Sequence, residues 1–195
     1  MKVLIACEYS GRVRDAWLKR DHQAISCDLL PTENDGPHYL GDVQDLLTQE
    51  WDVIIAHPPC TRLANSGVRW LHQRDLWDEL DEACEFFNLF LDHPCSRVVV
   101  ENPIPHKYAV ERLSRNYDQL IQPWQFGHGE TKATCLWLKG VPPLMPTDIV
   151  SGREQRIHRA SPGPECWKER SRTFTGIANA MADQWSRYFL QEGAA

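Results

Sequence analysis

The sequence predicts an α/β fold, a mostly parallel sheet covered by helices on both faces. Two patterns carry this. Short apolar runs of β-branched residues alternate with stretches of helical periodicity, the signature of strand–helix–strand units. The strand candidates are apolar throughout rather than alternating, as strands buried on both faces must be. The chain has 195 residues, enough for one domain with a sizeable core.

The elements follow in order. Val3–Cys7 reads as a first buried strand. The helix after it starts near Gly11 and lines up Val13, Ala16 and Trp17 on one face. Ala24–Cys27 reads as a second strand ending at Asp28, and the Pro, Asn, Asp and Gly of 31–37 make a loop. Val53–Ala56 is a third strand, stopped by Pro58-Pro59 because proline cannot continue a central strand. From Arg69 to Leu91 the spacing of Trp70, Trp77, Leu80, Cys84, Phe87 and Leu91 predicts one long amphipathic helix. Arg97–Val100 is a strand leading into Glu101-Asn102-Pro103. Further strands are expected at Leu120–Gln122 and Thr134–Lys139. A last helix is expected over 176–190, with Ile177, Met181, Trp185 and Phe189 on one face.

Composition narrows the function classes. Apolar residues at 42% and charged residues at 25% are ordinary for a globular protein. No apolar run approaches the roughly 18–20 residues that span a bilayer, and the N-terminus reads as a strand rather than a signal peptide. Membrane association is not expected. The net charge of −6 argues against a broad non-specific nucleic-acid surface, though not against a local basic patch. Seven cysteines with no Cys-x-x-Cys pair point to reduced thiols and a cytoplasmic setting. His57-x-x-Cys60 and His93-x-Cys95 lack the usual paired spacing of a structural zinc site, so no metal is expected.

In a parallel sheet the ligand lies beyond the carboxyl ends of the strands. Glu8, Asp28, His57 to Cys60, and Glu101 to Pro103 all fall there. A rigid Pro-Pro turn would offer the Cys60 side chain to that crevice. Thiolate is the reactive form, and a following helix N-terminus or a neighbouring cation such as Arg62 would favour it. Glu101, at the end of three buried valines, is expected to have a raised pKa, since burial disfavours its charge. A protonated carboxyl could then donate to N3 of a pyrimidine. A structural alternative is a strand-end glutamate paired with a basic residue on a neighbouring loop.

The two side chains fit one reaction. Sulfur addition at C6 of cytosine makes C5 nucleophilic toward a sulfonium methyl group, and Glu101 offsets charge developing at N3. The base that removes the C5 proton is not identified. For the cofactor, Glu8-Tyr9-Ser10-Gly11 could turn tightly around a methionine moiety. Asp28 could accept from ribose hydroxyls, and Asp42 from an adenine amino group. Each could equally be a turn cap.

These residues resemble the cytosine-C5 DNA methyltransferase family. Pro58-Pro59-Cys60 resembles its Pro-Cys nucleophile motif and Glu101-Asn102-Pro103 its Glu-Asn-Val motif. The run Phe126-Gly127-His128-Gly129-Glu130-Thr131-Lys132-Ala133-Thr134 is similar to Tyr-Gly-x-Pro-Gln-x-Arg-x-Arg, with Lys132 at the first Arg and Thr134 at the second. Ala178-Asn179-Ala180 resembles the closing Gly-Asn-Ala. The resemblance implies a Rossmann-like, S-adenosylmethionine-dependent methyltransferase fold, with Cys60, Glu101 and Lys132 catalytic. It places Pro58 and Asn179 with Glu8, Tyr9, Ser10, Gly11, Asp28 and Asp42 around S-adenosylmethionine, and Pro59 and Asn102 at the substrate.

The chain departs from the pattern at Ala6-Cys7-Glu8-Tyr9-Ser10, where the family has Phe-x-Gly-x-Gly, and in size. In place of a large target-recognition region there is a Pro/Gly-rich stretch over 141–172. Its Arg153, Arg156, Arg159, Lys168, Arg170 and Arg172 make a local basic excess that could meet phosphate; Arg153, Arg156 and Arg159 are the substrate-binding candidates. Trp70, Trp124 or Trp167 could stack a base, though tryptophans packed in a core are commoner. DNA is the expected partner. A free cytosine nucleotide (dCMP or dCTP) is the alternative, needing no recognition region. A non-catalytic nucleic-acid-binding relative and an amino-group methyltransferase, suggested by His57-Pro58-Pro59, are lesser readings.

Overall fold

A computed structural model describes residues 1–159 and 166–192, with the side chains of 157, 158, 166, 167 and 192 left aside. The strands are β1 (Lys2–Ala6), β2 (Gln23–Asp28), β3 (His38–Leu40), β4 (Val53–Ala56), β5 (Val98–Pro103), β6 (Gln119–Ile121) and β7 (Thr134–Lys139). They form one sheet in the order β3-β2-β1-β4-β5-β7-β6. β3, β2, β1, β4 and β5 are mutually parallel, and β7 runs antiparallel to both its neighbours. This is the mostly parallel, Rossmann-like α/β architecture that the sequence predicts.

The helices are α1 (Arg12–Leu18), α2 (Gln44–Leu47), α3 (Val68–Gln73), α4 (Trp77–Leu91), α5 (Lys107–Val110), α6 (Arg156–Arg159), α7 (Cys166–Ser171) and α8 (Thr175–Glu192). Successive strand residues point to opposite faces. Val3, Ile5, Val53, Ile55 and Val99 meet Val13 and Trp17 of α1 and Ile177, Met181 and Trp185 of α8. Leu4, Ala6, Ile54, Ala56, Val98 and Val100 meet Leu80, Cys84, Phe87 and Leu91 of α4. Two cores on one sheet explain why the strand sequences are apolar throughout.

Three expectations need correction. The helix predicted over 69–91 is two helices, because Asp75 sits at φ 53°, a left-handed turn between α3 and α4. Aspartate is among the residues that tolerate this conformation, so the apolar spacing continues across a real break. The short strand β3 lies just after the expected loop, and its three partly exposed residues are too few to carry a strand pattern. β5 continues through Glu101, Asn102 and Pro103, paired only with β7 there. Proline is tolerated at that point because β4 ends at Ala56, leaving one side of β5 without a ladder to complete.

The segment after β7 is built into the fold. Gly127 and Val150 donate backbone N–H groups to Asp148 and Trp124, and Thr131 and Glu154 to Glu154 and Gly129. Residues 147–154 thereby run alongside 124–131. No helix among the described residues is long and apolar enough to cross a membrane, and no group of three or more His, Cys, Asp or Glu there could hold a metal ion.

Candidate active site

The register of the sheet builds the site. Ala6 pairs with Cys27 and with Ala56, and Ala56 with Val100. One residue further, the same row runs Asp28, Cys7, His57, Glu101 across four strands. The strands stop near this row, so its polar side chains meet at the carboxyl edge without interrupting either core. Cys7 turns the chain away at φ 57°, and the Pro58-Pro59 pair does so after β4.

An open cleft lies over this row. Its lining brings together Glu8, Tyr9 and Ser10 from the β1–α1 turn, His57 to Cys60, Glu101 and Asn102 from β5, and Lys132 from the approach to β7. Arg170, Ser171 and Thr173 close the far side. Cys60, Glu101 and Lys132 therefore share one cavity, with Pro58, Pro59 and Asn102. The Asn102 side chain is buried and donates to the Pro58 carbonyl at 3.2 Å, tying β5 to the Pro-Pro turn, while its Oδ1 has no hydrogen-bond partner.

Glu101 differs from its expected state. Burial is the largest single influence and pushes its carboxyl up. A hydrogen bond from His57, the Lys132 charge and the Thr134 hydroxyl together outweigh burial, and the carboxyl is held below the usual glutamate value. His57 Nδ1 lies 2.9 Å from Glu101 Oε2. The side chains are 7% and 11% exposed. At neutral pH Glu101 is a carboxylate, an acceptor rather than the resting acid the sequence suggests.

Cys60 also differs. Burial, then the Glu101 charge, push its thiol up, and Lys132 and Arg170 pull it down less strongly. Arg62, the expected cation, points elsewhere and pairs with Glu79 at 2.5 Å. No helix begins at Cys60; its carbonyl instead accepts from Leu63 and Ala64 in a single turn. Its resting form is the thiol. Burial raises Cys27 and Cys84 to about 11, Cys135 to about 12 and Cys7 further still. Position beside Glu101 and Lys132, not acidity, sets Cys60 apart.

The β1–α1 turn is committed to structure. Glu8 is 5% exposed. It accepts from Ser10 Oγ at 2.9 Å, Val13 N at 2.8 Å and Arg14 N at 3.3 Å, capping α1. Gly11 precedes α1 at φ 70°, and a Cβ there would meet the Arg14 guanidinium at 2.4 Å. Tyr9 donates its hydroxyl to the Lys168 carbonyl at 2.8 Å, tethering α7 over the cleft. Asp28 and Asp42 lie outside the lining but close enough to Cys7 to raise its thiol. Burial raises the Asp28 carboxyl, which accepts from Leu30 N at 3.0 Å. Asp42 accepts from Gln44 N at 2.9 Å.

Several candidates fall elsewhere. Asn179 is exposed on α8 and does not line the cleft. Arg153, Arg156 and Arg159 are exposed and also outside the lining. Arg153 stacks on Trp124 at 3.9 Å, and Arg156 pairs with Glu130 and Glu169. Trp70 is held between Arg69 and Arg74, each 4.4 Å from its ring. The Trp167 side chain lies outside the described residues. Sequence reasoning missed His57 and Thr134 as partners of Glu101, and Arg170 as a wall of the cleft. Only His57 carried a signal: it follows one strand as Glu101 follows the three valines of the next.

The chain matches no protein-family model and no curated protein. Solved structures of similar fold include a DNA modification methyltransferase encoded within a prophage of E. coli, at TM-score 0.49 and 12% identity, covering 83% of this chain and 55% of that one. The Entamoeba histolytica methyltransferase EhMeth is similar at TM-score 0.46 and 14% identity, over 80% of this chain and 57% of that one. The S. pombe Dnmt2 methyltransferase is similar at 0.44 and 12%, over 80% and 53%. This chain spans a little over half the length of each, and the likeness is one of fold alone.

Proposed function

We propose that this protein is an S-adenosylmethionine-dependent methyltransferase acting at C5 of cytosine in DNA, with Cys60 as nucleophile. The observation that carries the reading is the meeting of Cys60, Glu101 and Lys132 in one cleft at the carboxyl edge of β4 and β5.

The protonation states suit the proton transfers the reaction needs. Addition at C6 removes a proton from Sγ and places one at N3. The Glu101 carboxylate can take the thiol proton and, as an acid, give it to N3 while the S–C6 bond forms. The Lys132 cation stabilises the thiolate and the carboxylate in turn. Electrons from the C5–C6 bond are then available at C5 for the methyl group. With S-adenosylhomocysteine as the leaving group of the methyl transfer, loss of the C5 proton to water would restore the C5–C6 double bond as the S–C6 bond breaks, and the N3 proton would return through the Glu101 carboxyl to the departing thiolate. A target base in duplex DNA must leave the stack to reach the cleft.

The donor set for the cofactor fits adenosine. Asp28 and Asp42 lie outside the cleft lining, but their charges reach Cys7 on its wall, and they would be the carboxylates to accept from the ribose hydroxyls and the adenine amine. Glu8 accepts from the N-terminal amides of α1, so its part at the methionine moiety would be to order the turn rather than to hold the amino-acid ammonium group. S-adenosylmethionine, when bound, supplies the electrophilic methyl group. The stretch over 141–172 would stand in place of a target-recognition domain. The pairing of Arg156 with two glutamates and the net charge of −6 favour a second reading, a free cytosine nucleotide as substrate.

Incubation with tritiated S-adenosylmethionine and, separately, DNA, RNA, dCMP and dCTP tests both. Label in DNA, falling steeply with added salt, is the expected result. Label in dCMP or dCTP alone selects the second reading. Folded protein that labels none of the four refutes both.

A further inference from the structure

The turn that carries Cys60 also carries His57, whose ring bonds Glu101 and whose other nitrogen is left over. His57 Nδ1 and Glu101 Oε2 are 2.9 Å apart. His57 lines the same cleft, and its Nε2 is buried with no hydrogen-bond partner. Since the carboxylate can only accept, Nδ1 carries the proton between them. That leaves Oε1 as the oxygen the imidazole does not hold. Leaving a buried ring nitrogen unsatisfied is costly, and the bond to Glu101 is what the ring gains there.

We propose that His57 is a positioning residue for methyl transfer, fixing which oxygen of Glu101 meets the pyrimidine and supplying the hydrogen bond that compensates its charge. This rests on the reading of the cleft given above. The β4–β5 register places the two side chains side by side, so the contact is built by the sheet and does not depend on a loop. Other titratable groups lining the cleft around the pair are Cys7, Glu8 and Tyr9 from the β1–α1 turn, Cys60, Lys132, and Arg170 from α7. Of these Lys132 acts on Glu101 through its charge. His57 adds a direct bond, and without it burial, the largest influence on Glu101, is opposed by Lys132 and Thr134 alone.

The sign follows. Glu101 must be ionised at rest to take the Cys60 proton, so methyl transfer is lost as pH falls through its titration. Removing His57 moves that acid limb to higher pH. His57→Asn places an amide N–H where Nδ1–H stood, and His57→Gln reaches instead toward the Nε2 position.

The test pairs two readouts on the full chain. Carbon-13 NMR of labelled glutamate carboxyls, with Glu101→Gln assigning the signal, gives the Glu101 midpoint in wild type, His57→Ala and His57→Asn. The pH profile of kcat for cytosine methylation gives the acid limb. Expected are a raised midpoint and a raised acid limb in His57→Ala, with kcat down about tenfold or more, the scale of one lost charge-assisted hydrogen bond. His57→Asn keeps the low midpoint and stays within about threefold, the margin left by an imperfect replacement bond. If His57→Ala does not fold, the contrast between His57→Asn and His57→Gln decides the same point. An unmoved Glu101 midpoint overturns the proposal, as does a raised midpoint with an unchanged acid limb. A wild type that methylates no cytosine refutes the methyltransferase reading instead, and the midpoints still decide whether His57 sets the charge of Glu101.

Discussion

Glu8 separates two accounts of the β1–α1 turn, and replacing it measures which is right. Its carboxylate is buried and holds Ser10 Oγ and the backbone N–H groups of Val13 and Arg14 at 2.9, 2.8 and 3.3 Å. Glu8→Ala leaves two amides at the positive end of α1 without partners and removes the charge that complements the helix dipole. A hydrogen bond to a charged group contributes about 1.5–3 kcal/mol, partly offset by the desolvation of the carboxylate. The net loss is about 3 kcal/mol for the three bonds together. With a urea slope of about 2 kcal/mol/M, the unfolding midpoint falls by about 1.5 M. Glu8→Gln keeps one acceptor oxygen for Val13 and Ser10 but turns an N–H toward the Arg14 amide, and costs about half as much. Urea unfolding followed by tryptophan fluorescence reads both. If Glu8→Ala loses under about 1 kcal/mol, the low end for a single cap, yet abolishes S-adenosylmethionine binding, Glu8 serves the cofactor and the capping argument is wrong.

Other consequences are as direct. Because burial and Glu101 raise the Cys60 thiol, its alkylation by iodoacetamide is slow at neutral pH and accelerates into the alkaline range; Glu101→Gln speeds it at neutral pH, and a rate independent of both pH and that substitution contradicts the electrostatics. Arg14 is 0% exposed and bonds Asp15, Ser26 and Thr32 at 2.8–3.2 Å and the carbonyls of Asn34 and Asp35 at 3.0 and 3.3 Å. Arg14→Met strips these of their donor and costs about 3–5 kcal/mol, with amide exchange rising first over residues 31–37; a cost under 1 kcal/mol shows that the loop does not depend on it.

The sheet was legible because its strands are buried on both faces. Val98-Val99-Val100 and Val53-Ile54-Ile55-Ala56 can be little else, and the polar residues after them must lie at one edge. The strand pattern thus set Cys60 and Glu101 at one edge without coordinates, and Lys132 joined them only through the resemblance of the run 126–134 to a family motif. What it could not supply was the neighbour across the sheet. Glu101 reads as a buried, neutral acid until the register places His57 beside it and reverses the sign. Asp75 hid a helix break because the apolar spacing resumes on its far side. The bonds Glu8 makes to the start of α1 were not legible, because a capping carboxylate and a cofactor-binding one occupy the same place after a first strand. The basic residues of 150–172 separate only in three dimensions: Arg156 is spent on Glu130 and Glu169, Arg172 holds Glu33 through two bonds, and Arg170 reaches the cleft.

Trapping the sulfur–carbon bond tests the chemistry most directly. An oligonucleotide carrying 5-fluorocytosine has no C5 proton to lose, so the reaction should halt after methyl transfer with the base still joined to the enzyme. After digestion, mass spectrometry should find the methylated fluoropyrimidine on the peptide containing Cys60 and on no other cysteine. The adduct should be absent from Cys60→Ser. An adduct on Cys7 or any other thiol, or turnover without an adduct in the wild type, would contradict the assignment of Cys60 as nucleophile.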